Sequence, residues 1–212
     1  MDRRTAQKVG RLKVTLINLK LRLLSLLWRI KFEFFREKLP KNADGKVYLN
    51  LGSGVNTSPE FINIDAFPSR RTHLVLDIQN LTIFPDNSVD MVYASHVIEH
   101  IPRSNLKKTL VEWHRVLKPG GTLRFGVPDL DKLIAIYNAS GQNTESIVEQ
   151  LLGQDRDFDR HCTIWNLNYA KSILKEVDFS GEPRHWEVGT AEHHKFHDKS
   201  NRDNSLNLEV VK

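Results

Sequence analysis

The sequence predicts an α/β fold built on a doubly wound, mostly parallel sheet. Three observations predict it. From residue 46 onward, short apolar runs alternate with helical patterns. The first run ends in the glycine turn LGSG, which is typical of a strand that meets a ligand-binding loop. One domain accounts for most of the chain, because 212 residues with an apolar fraction of 40% can bury a sizeable core.

Seven runs have the length and composition of strands. In chain order they are KVYLNLG, FINIDAF, HLVLDI, SVDMVYASHV, TLRFGVPD, RHWEVG and SLNLEVVK. The last two are joined by the histidine-rich segment AEHHKFHDKSNRDN. Crossovers between the first five predict the parallel part of the sheet.

Three segments have helical patterns. NLKKTLVEWHRVL is amphipathic, and LKPGG is predicted to end it. DLDKLIAIYNAS is a second helix, and TIWNLNYAKSILKEVDFSG contains a third that Gly181 is expected to close. Residues 140–160 are polar and acidic, and they are interpreted as a lid over the carboxyl edge of the sheet.

Residues 1–40 are predicted to form a basic amphipathic helical extension, which divides the chain into this extension and a domain over residues 41–212. Residues 1–41 hold twelve Lys/Arg and three acids, a net charge of +9, whereas the rest hold nineteen and twenty-three, a net charge of −4. The acidic balance of the domain argues against nucleic acid as a partner.

Two interpretations of the extension stay open. Its uncharged runs, such as LLSLLW, are too short for a membrane span of about 20 apolar residues. Its apolar stripes either pack on the domain or on a partner protein, or lie on an anionic membrane surface between basic flanks. The predicted location is cytoplasmic, with residues 1–38 as a peripheral contact to the inner face of the membrane.

The single cysteine, Cys162, excludes an internal disulfide and agrees with a reducing compartment. The sequence is also compatible with a homo-oligomer.

The glycine turn and the acid after the second strand predict a nucleotide-like ligand. Gly52 and Gly54 allow close backbone approach, and Asp65 can accept hydrogen bonds from two ribose hydroxyls. The same close backbone approach and ribose contact would suit NAD and S-adenosylmethionine equally. A dinucleotide fingerprint, however, needs a third small residue where this chain has Thr57.

The blocks VYLNLGSG, NIDAF, HLVLDI, FPDNSVDMVYASHVIEHI and LVEWHRVLKPGGTLRFGVPDL resemble class I S-adenosylmethionine-dependent methyltransferases. The chain is especially similar to small bacterial methyltransferases of surface-polysaccharide and glycan biosynthesis. The resemblance covers about residues 46–130 and implies a Rossmann-like methyltransferase fold with a C-terminal reversed hairpin. Asn50 stands where many members carry an acid, so no carboxylate contact to the methionine amino group is predicted there.

The resemblance also implies site residues. Glycine-turn and strand-end residues are expected to hold S-adenosylmethionine, and they are Gly52, Ser53, Gly54, Asp65, Asp77, Ile78 and Ser95. The candidate catalytic residues are His96, then His161 and Asp129, because a sugar hydroxyl is a poor nucleophile and needs a base. Glu99 and His100 are interpreted as structural, and Cys162 as a small buried residue. No metal is predicted: the cluster EHHKFHD is interpreted as a solvated loop.

The predicted reaction is methyl transfer from S-adenosylmethionine to a saccharide hydroxyl of a surface glycan or its lipid-linked precursor, at the cytoplasmic membrane face. Two alternatives stay open. One is methylation of a lipophilic small molecule such as a quinone precursor. The other is a non-catalytic scaffold that binds the cofactor. A polar acceptor pocket favours the sugar, and Asp155, Asp157, Asp159, His161, Trp165 and Asn166 suggest one.

Overall fold

The computed structural model describes residues 39–40, 42–154, 159–186 and 203–212. Residues 1–38 of the extension, the acids Asp155 and Asp157, and the histidine-rich segment 193–198 lie outside the described residues. The predictions made for those segments therefore stay predictions.

The described residues contain one seven-stranded sheet with the order β3-β2-β1-β4-β5-β7-β6. The first five strands pair in parallel, and β7 pairs antiparallel with both β5 and β6. The predicted mostly parallel sheet with a reversed C-terminal hairpin is confirmed. The strands are β1 Tyr48–Leu51, β2 Ile62–Asp65, β3 Leu74–Val75, β4 Val89–Ser95, β5 Leu117–Pro128, β6 Arg184–His185 and β7 Ser205–Val211.

Helices cover one face of this sheet. The α-helices are α1 Arg103–Val116, α2 Leu130–Ala139, α3 Val148–Leu152 and α4 Leu167–Lys175, with 3-10 turns at Ile98–His100 and Thr144–Ser146. Buried residues of α1 and α4 pack on alternate residues of the central strands and form the main core. Trp113 of α1 is fully buried and donates from Nε1 to the carbonyl of Ile78 at 2.8 Å, which ties the helix to the loop after β3.

The other face carries no helix in the described residues. Tyr93, Phe61 and Trp186 form a small aromatic cluster on it. A surface cavity of about 620 Å³ lies there, at the amino ends of the strands and away from the glycine turn. The connection from β1 to β2 is a loop over residues 52–61, so the alternation of strands with helices is incomplete here. No helix among the described residues is long and apolar enough to cross a membrane.

Two predicted boundaries are wrong, although α1 does end at Val116, immediately before LKPGG. The fifth strand was predicted as TLRFGVPD, but β5 begins at Leu117, so the glycines of LKPGG lie inside an irregular part of that strand. Helix α4 ends at Lys175 rather than at Gly181, and Asp178 adopts a φ of 64° in the turn that follows. A helix of nine residues already buries its apolar stripe, Ala170, Ile173 and Leu174, so packing does not require a longer one.

Candidate active site

The glycine turn lies at the carboxyl end of β1, where it faces the end of β4. Gly52 and Gly54 have φ values of 63° and 50°, a region that side chains disfavour. A Cβ added to Gly52 would lie 2.3 Å from Cγ2 of Val97, whereas one added to Gly54 would meet nothing within 4 Å. The first glycine is thus required by a close approach between two loops, and the second only by its backbone conformation.

Asp65, at the end of β2, is built into this turn. One carboxylate oxygen accepts from the backbone N–H of Gly54 and the other from that of Phe67, each at 2.8 Å. The side chain is only half-buried, so lone pairs stay available toward solvent. Asn50 is buried beneath the turn and donates to the side chain of Asn63 and to the carbonyl of Asn56. Its role in the described structure is to brace the turn.

Asp77 and Ile78 follow β3 beside Asp65. The N–H of Leu76 donates to the Asp65 carbonyl at 3.0 Å, which keeps the two strand ends adjacent. Asp77 is exposed and accepts from the backbone N–H of Gln79. The structure therefore brings together the turn, Asp65 and Asp77 along one edge of the sheet.

Two serine hydroxyls at this edge lack a partner among the described residues. Oγ of Ser53 and Oγ of Ser95 are both buried without a hydrogen bond. Buried hydroxyls are normally hydrogen-bonded. One lies in the glycine turn and the other at the end of β4, so both suit contact with a bound ligand.

His96 immediately follows β4 and has a strained backbone, with a φ of 50°. Its N–H donates to the carbonyl of Gly126 at 2.8 Å. The buried ring lies between two partners: Nε2 is 2.8 Å from Oγ of Ser205, and Nδ1 is 3.2 Å from Oε1 of Glu99. This arrangement aligns a hydroxyl, an imidazole and a carboxylate in one chain of contacts.

Glu99 is completely buried in the 3-10 turn after His96. Burial raises the pKa of its carboxyl, but the neighbouring His96 and His100 more than offset this, so the pKa lies below its ordinary value. His161 reaches the same carboxylate from a distant part of the chain, with Nε2 4.0 Å from Oε1. Burial lowers the pKa of His161, although Glu99 opposes the shift, so the environment favours the neutral imidazole.

The remaining predicted residues have evident structural contacts. Asp129 is buried and caps α2, accepting from the N–H of Asp131. Asn166 caps α4 by accepting from Tyr169 at 2.9 Å. Trp165 is buried in the core and so cannot line an acceptor pocket.

Cys162 is exposed, so the expectation of a small buried residue there is wrong.

The sequence predicts a structural role for Glu99 and His100. In the structure, however, Glu99 contacts both His96 and His161. The spacing His-x-x-Glu-His is the signal that identifies them. A single helical turn places His96 and Glu99, the first and fourth residues of this motif, on one side. What the sequence does not reveal is the contact with His161, which lies sixty-two residues beyond Glu99.

Comparisons with known proteins agree with this fold. Residues 46–125 match the family model described as a methyltransferase domain. The fold is similar to that of a SAM-dependent methyltransferase from Archaeoglobus fulgidus, at 15% identity, a TM-score of 0.50 and coverage of 94% of this chain and 99% of that chain. It is also similar to 1,6-didemethyltoxoflavin-N1-methyltransferase from Burkholderia thailandensis, solved with 1,6-didemethyltoxoflavin and S-adenosylhomocysteine. There the identity is 12%, the TM-score 0.52, and the coverage 91% of this chain and 77% of that chain. No curated protein matches this chain.

The residues at this edge of the sheet fit S-adenosylmethionine, the cofactor that the sequence resemblance implies. There is no space for a Cβ at Gly52, so at this position only backbone atoms can face a bound cofactor. The unpartnered hydroxyls of Ser53 and Ser95 and the half-exposed carboxylate of Asp65 offer both donors and acceptors. A ribose and an amino-acid moiety require such groups.

Proposed function

We propose that this chain is a class I S-adenosylmethionine-dependent methyltransferase and that it methylates a hydroxyl of a saccharide that belongs to a surface glycan or its lipid-linked precursor. The observation that carries the proposal is the buried pair of His96 and Glu99 at the end of β4. A thiol or an amine needs little help to attack a methyl group, whereas a hydroxyl gains from a base that takes its proton.

The cofactor site in this proposal comprises the glycine turn and three strand ends. Gly52, Ser53 and Gly54 would lie beneath the methionyl and ribose portions, and Asp65 would accept from the ribose hydroxyls. Asp77, Ile78 and Ser95 are the remaining residues proposed to contact the cofactor. When bound, S-adenosylmethionine supplies a methyl group on a positively charged sulfur.

His96 acts as the base. The Glu99 carboxylate lies 3.2 Å from Nδ1, so the anion favours the tautomer with its proton on Nδ1 and leaves the lone pair on Nε2. Nε2 lies 2.8 Å from the Ser205 hydroxyl, so the proposal requires the Ser205 side chain to rotate away when the acceptor hydroxyl binds. As the acceptor oxygen bonds to the methyl carbon, the carbon–sulfur bond breaks with its electron pair going to sulfur. The hydroxyl proton passes to Nε2.

The lining of the adjacent cavity supports a sugar rather than a quinone. A cavity of about 20 Å³ is bounded by His96, His161 and further polar side chains: Glu149, Gln150, Gln154, Asp159 and Asn204. This volume admits about one hydroxyl-sized group. Hydrogen-bonding walls suit a polyhydroxylated acceptor, whereas an apolar ring would leave them unsatisfied. Asp129, whose neighbour Pro128 also lines the cavity, is the candidate for holding a second hydroxyl.

The membrane location rests on the sequence of residues 1–38, with its basic flanks and apolar stripes. A lipid-linked saccharide presents its sugar at the cytoplasmic membrane surface, and a helix lying on that surface brings the domain to it.

The test uses the full chain with S-adenosylmethionine labelled in its methyl group. Lipid-linked saccharides and quinone precursors are supplied in parallel, and the labelled product is identified by mass spectrometry. Label in the saccharide fraction is expected, and His96→Gln should reduce turnover about 10²–10⁴-fold with cofactor affinity retained. His185→Gln, an exposed histidine of β6, is the matched control. Label confined to quinone precursors overturns the acceptor class, and full activity of His96→Gln overturns the base.

A further inference from the structure

The buried carboxylate of Glu99 has an unusual environment for an anion. The residue is 0% exposed, and its Oε2 has no hydrogen-bond partner among the described residues. Oε1 lies 3.2 Å from Nδ1 of His96. Burying an unsatisfied carboxylate is costly unless a cation compensates its charge. Oε2 has no such compensation in the described structure.

Two imidazoles converge on this carboxylate. The ligand-capable atoms of Glu99, His100 and His161 all lie within 4.8 Å of one another. The rings of His100 and His161 meet edge to face, with their centroids 4.9 Å apart. Ligands bound to one ion with bonds of about 2.1 Å lie about 3–3.5 Å apart, so binding requires small side-chain movements only.

The tautomer of His100 is fixed in the form that binds a metal. Its Nδ1 lies 3.1 Å from the carbonyl oxygen of Arg160, which only accepts, so Nδ1 carries the proton. The lone pair is therefore on Nε2. That atom lies 3.7 Å from Oδ1 of Asp159, which makes this carboxylate a fourth candidate ligand. A backbone carbonyl that orients the ring in this way is a common feature around metal-binding histidines.

The backbone holds the two ligand-bearing segments together. The carbonyl of Glu99 accepts from the N–H groups of Cys162 and Thr163, at 2.7 and 3.1 Å. Gly153 turns the chain at a φ of 77°, and a Cβ there would lie 1.9 Å from the carbonyl oxygen of Asp159. The positions of Asp159 and His161 are thus built into the fold.

We infer that Glu99, His100 and His161, with Asp159, form a site for one divalent transition-metal ion. Two imidazoles with carboxylates suit Mn²⁺, Co²⁺ or Zn²⁺, whereas Mg²⁺ prefers an all-oxygen shell. Two sequence-based expectations change as a result: the chain holds a metal ion, and His161 is a ligand instead of a base.

The role of the ion rests on the proposed function. An open position of the ion can bind one hydroxyl of the acceptor and so orient it. His96 contacts the same carboxylate through Nδ1, whereas its Nε2 faces Ser205 on the other side of the ring. The ion therefore positions the acceptor through one hydroxyl, and the hydroxyl that is methylated gives its proton to Nε2. The methyl transfer itself is unchanged.

Binding is tested directly on the full chain after treatment with a chelator. Calorimetric titration with MnCl₂, and the visible absorption of added Co²⁺, should report one ion per chain. His100→Gln and His161→Gln should each weaken binding at least about 10–100-fold. Circular dichroism establishes that the variants are folded.

A control variant separates this site from the histidine-rich segment. Replacing His193, His194 and His197 together by glutamine should leave stoichiometric binding intact, and so should His185→Gln. Absence of a bound ion in the wild-type chain overturns the inference, and so does binding that His161→Gln retains but the triple variant loses.

The activity assay distinguishes this inference from the proposed function. Methyl transfer to saccharide that stops after chelation and returns with Mn²⁺ or Zn²⁺ supports both. Transfer that continues in chelator, from a chain that binds no ion, overturns the metal site and leaves the proposed function standing. Stoichiometric ion binding without saccharide methylation supports the site and counts against the acceptor.

Discussion

Replacing Gly52 by alanine is the sharpest structural perturbation of the glycine turn. The new Cβ would lie 2.3 Å from Cγ2 and 2.9 Å from Cγ1 of Val97, well inside van der Waals contact. It would also have to adopt a φ of 63°. Because Val97 adjoins His96, the substitution presses the cofactor turn against the loop that carries the candidate base.

The expected loss of stability has two parts. A left-handed backbone costs an alanine about 1–2 kcal/mol. Inserting a methyl group into a packed contact costs about 1–3 kcal/mol more. Gly54→Ala supplies the control, because its φ of 50° brings the backbone cost while nothing lies within 4 Å of its Cβ. The two variants should therefore differ by about 1–3 kcal/mol, and entropic effects on the unfolded chain largely cancel between them.

The assay is urea unfolding without cofactor, followed by circular dichroism. For a chain of this size, each kcal/mol corresponds to about 2–4 °C in a thermal scan. Adding Val97→Ala to Gly52→Ala removes both Cγ contacts, so a double-mutant cycle should show a favourable coupling between the two positions. If Gly52→Ala is as stable as Gly54→Ala, and the cycle shows no coupling, the close approach of the two loops is refuted.

Three further predictions concern pH, the extension and the turn at Gly153. Burial lowers the pKa of His73, whose Nδ1 accepts the N–H of Asn63 at 3.0 Å. Folding thus favours its neutral form, so this contribution to stability is complete above the ordinary pKa of 6.5 and is lost as the pH falls through the lower folded value. Urea unfolding of His73→Asn across pH 5–8 should give a flatter profile, and an unchanged slope argues against this assignment. Deleting residues 1–38 should abolish co-sedimentation with anionic vesicles and leave cofactor binding intact. Persistent vesicle binding removes the membrane interpretation, and a large fall in melting temperature favours packing on the domain instead. Gly153→Ala should lose about 1–3 kcal/mol more than Gly141→Ala, since only the first meets backbone, 1.9 Å from the Asp159 carbonyl, and equal losses contradict the described turn.

The sheet was predictable because each of its strands is marked locally. Apolar runs such as those of β1 and β4 appear in the sequence as strands. The ends of elements were less predictable. Helix α4 stops at Lys175 once its apolar stripe is buried, and no glycine is needed there. Likewise, β5 begins at Leu117, because pairing with Val89 extends the strand before the glycines.

In the candidate site too, some residues could be predicted from local sequence and others could not. Gly52, Gly54 and Asp65 lie within one loop and its following strand, so spacing alone predicted their association. The cluster around Glu99 depends on a contact with His161 that no local pattern encodes. A buried charge can be identified only from the packed structure, and for this reason the sequence indicated a structural role for Glu99.

The central claim is that the glycine turn and Asp65 hold S-adenosylmethionine. Isothermal calorimetry tests it most directly, by titrating the full chain with S-adenosylmethionine, S-adenosylhomocysteine and NAD. One site with micromolar affinity for the first two ligands is expected, with no binding of NAD and no binding of any ligand by Asp65→Ala. Absence of binding by the wild-type chain, or equal binding by Asp65→Ala, would contradict the account.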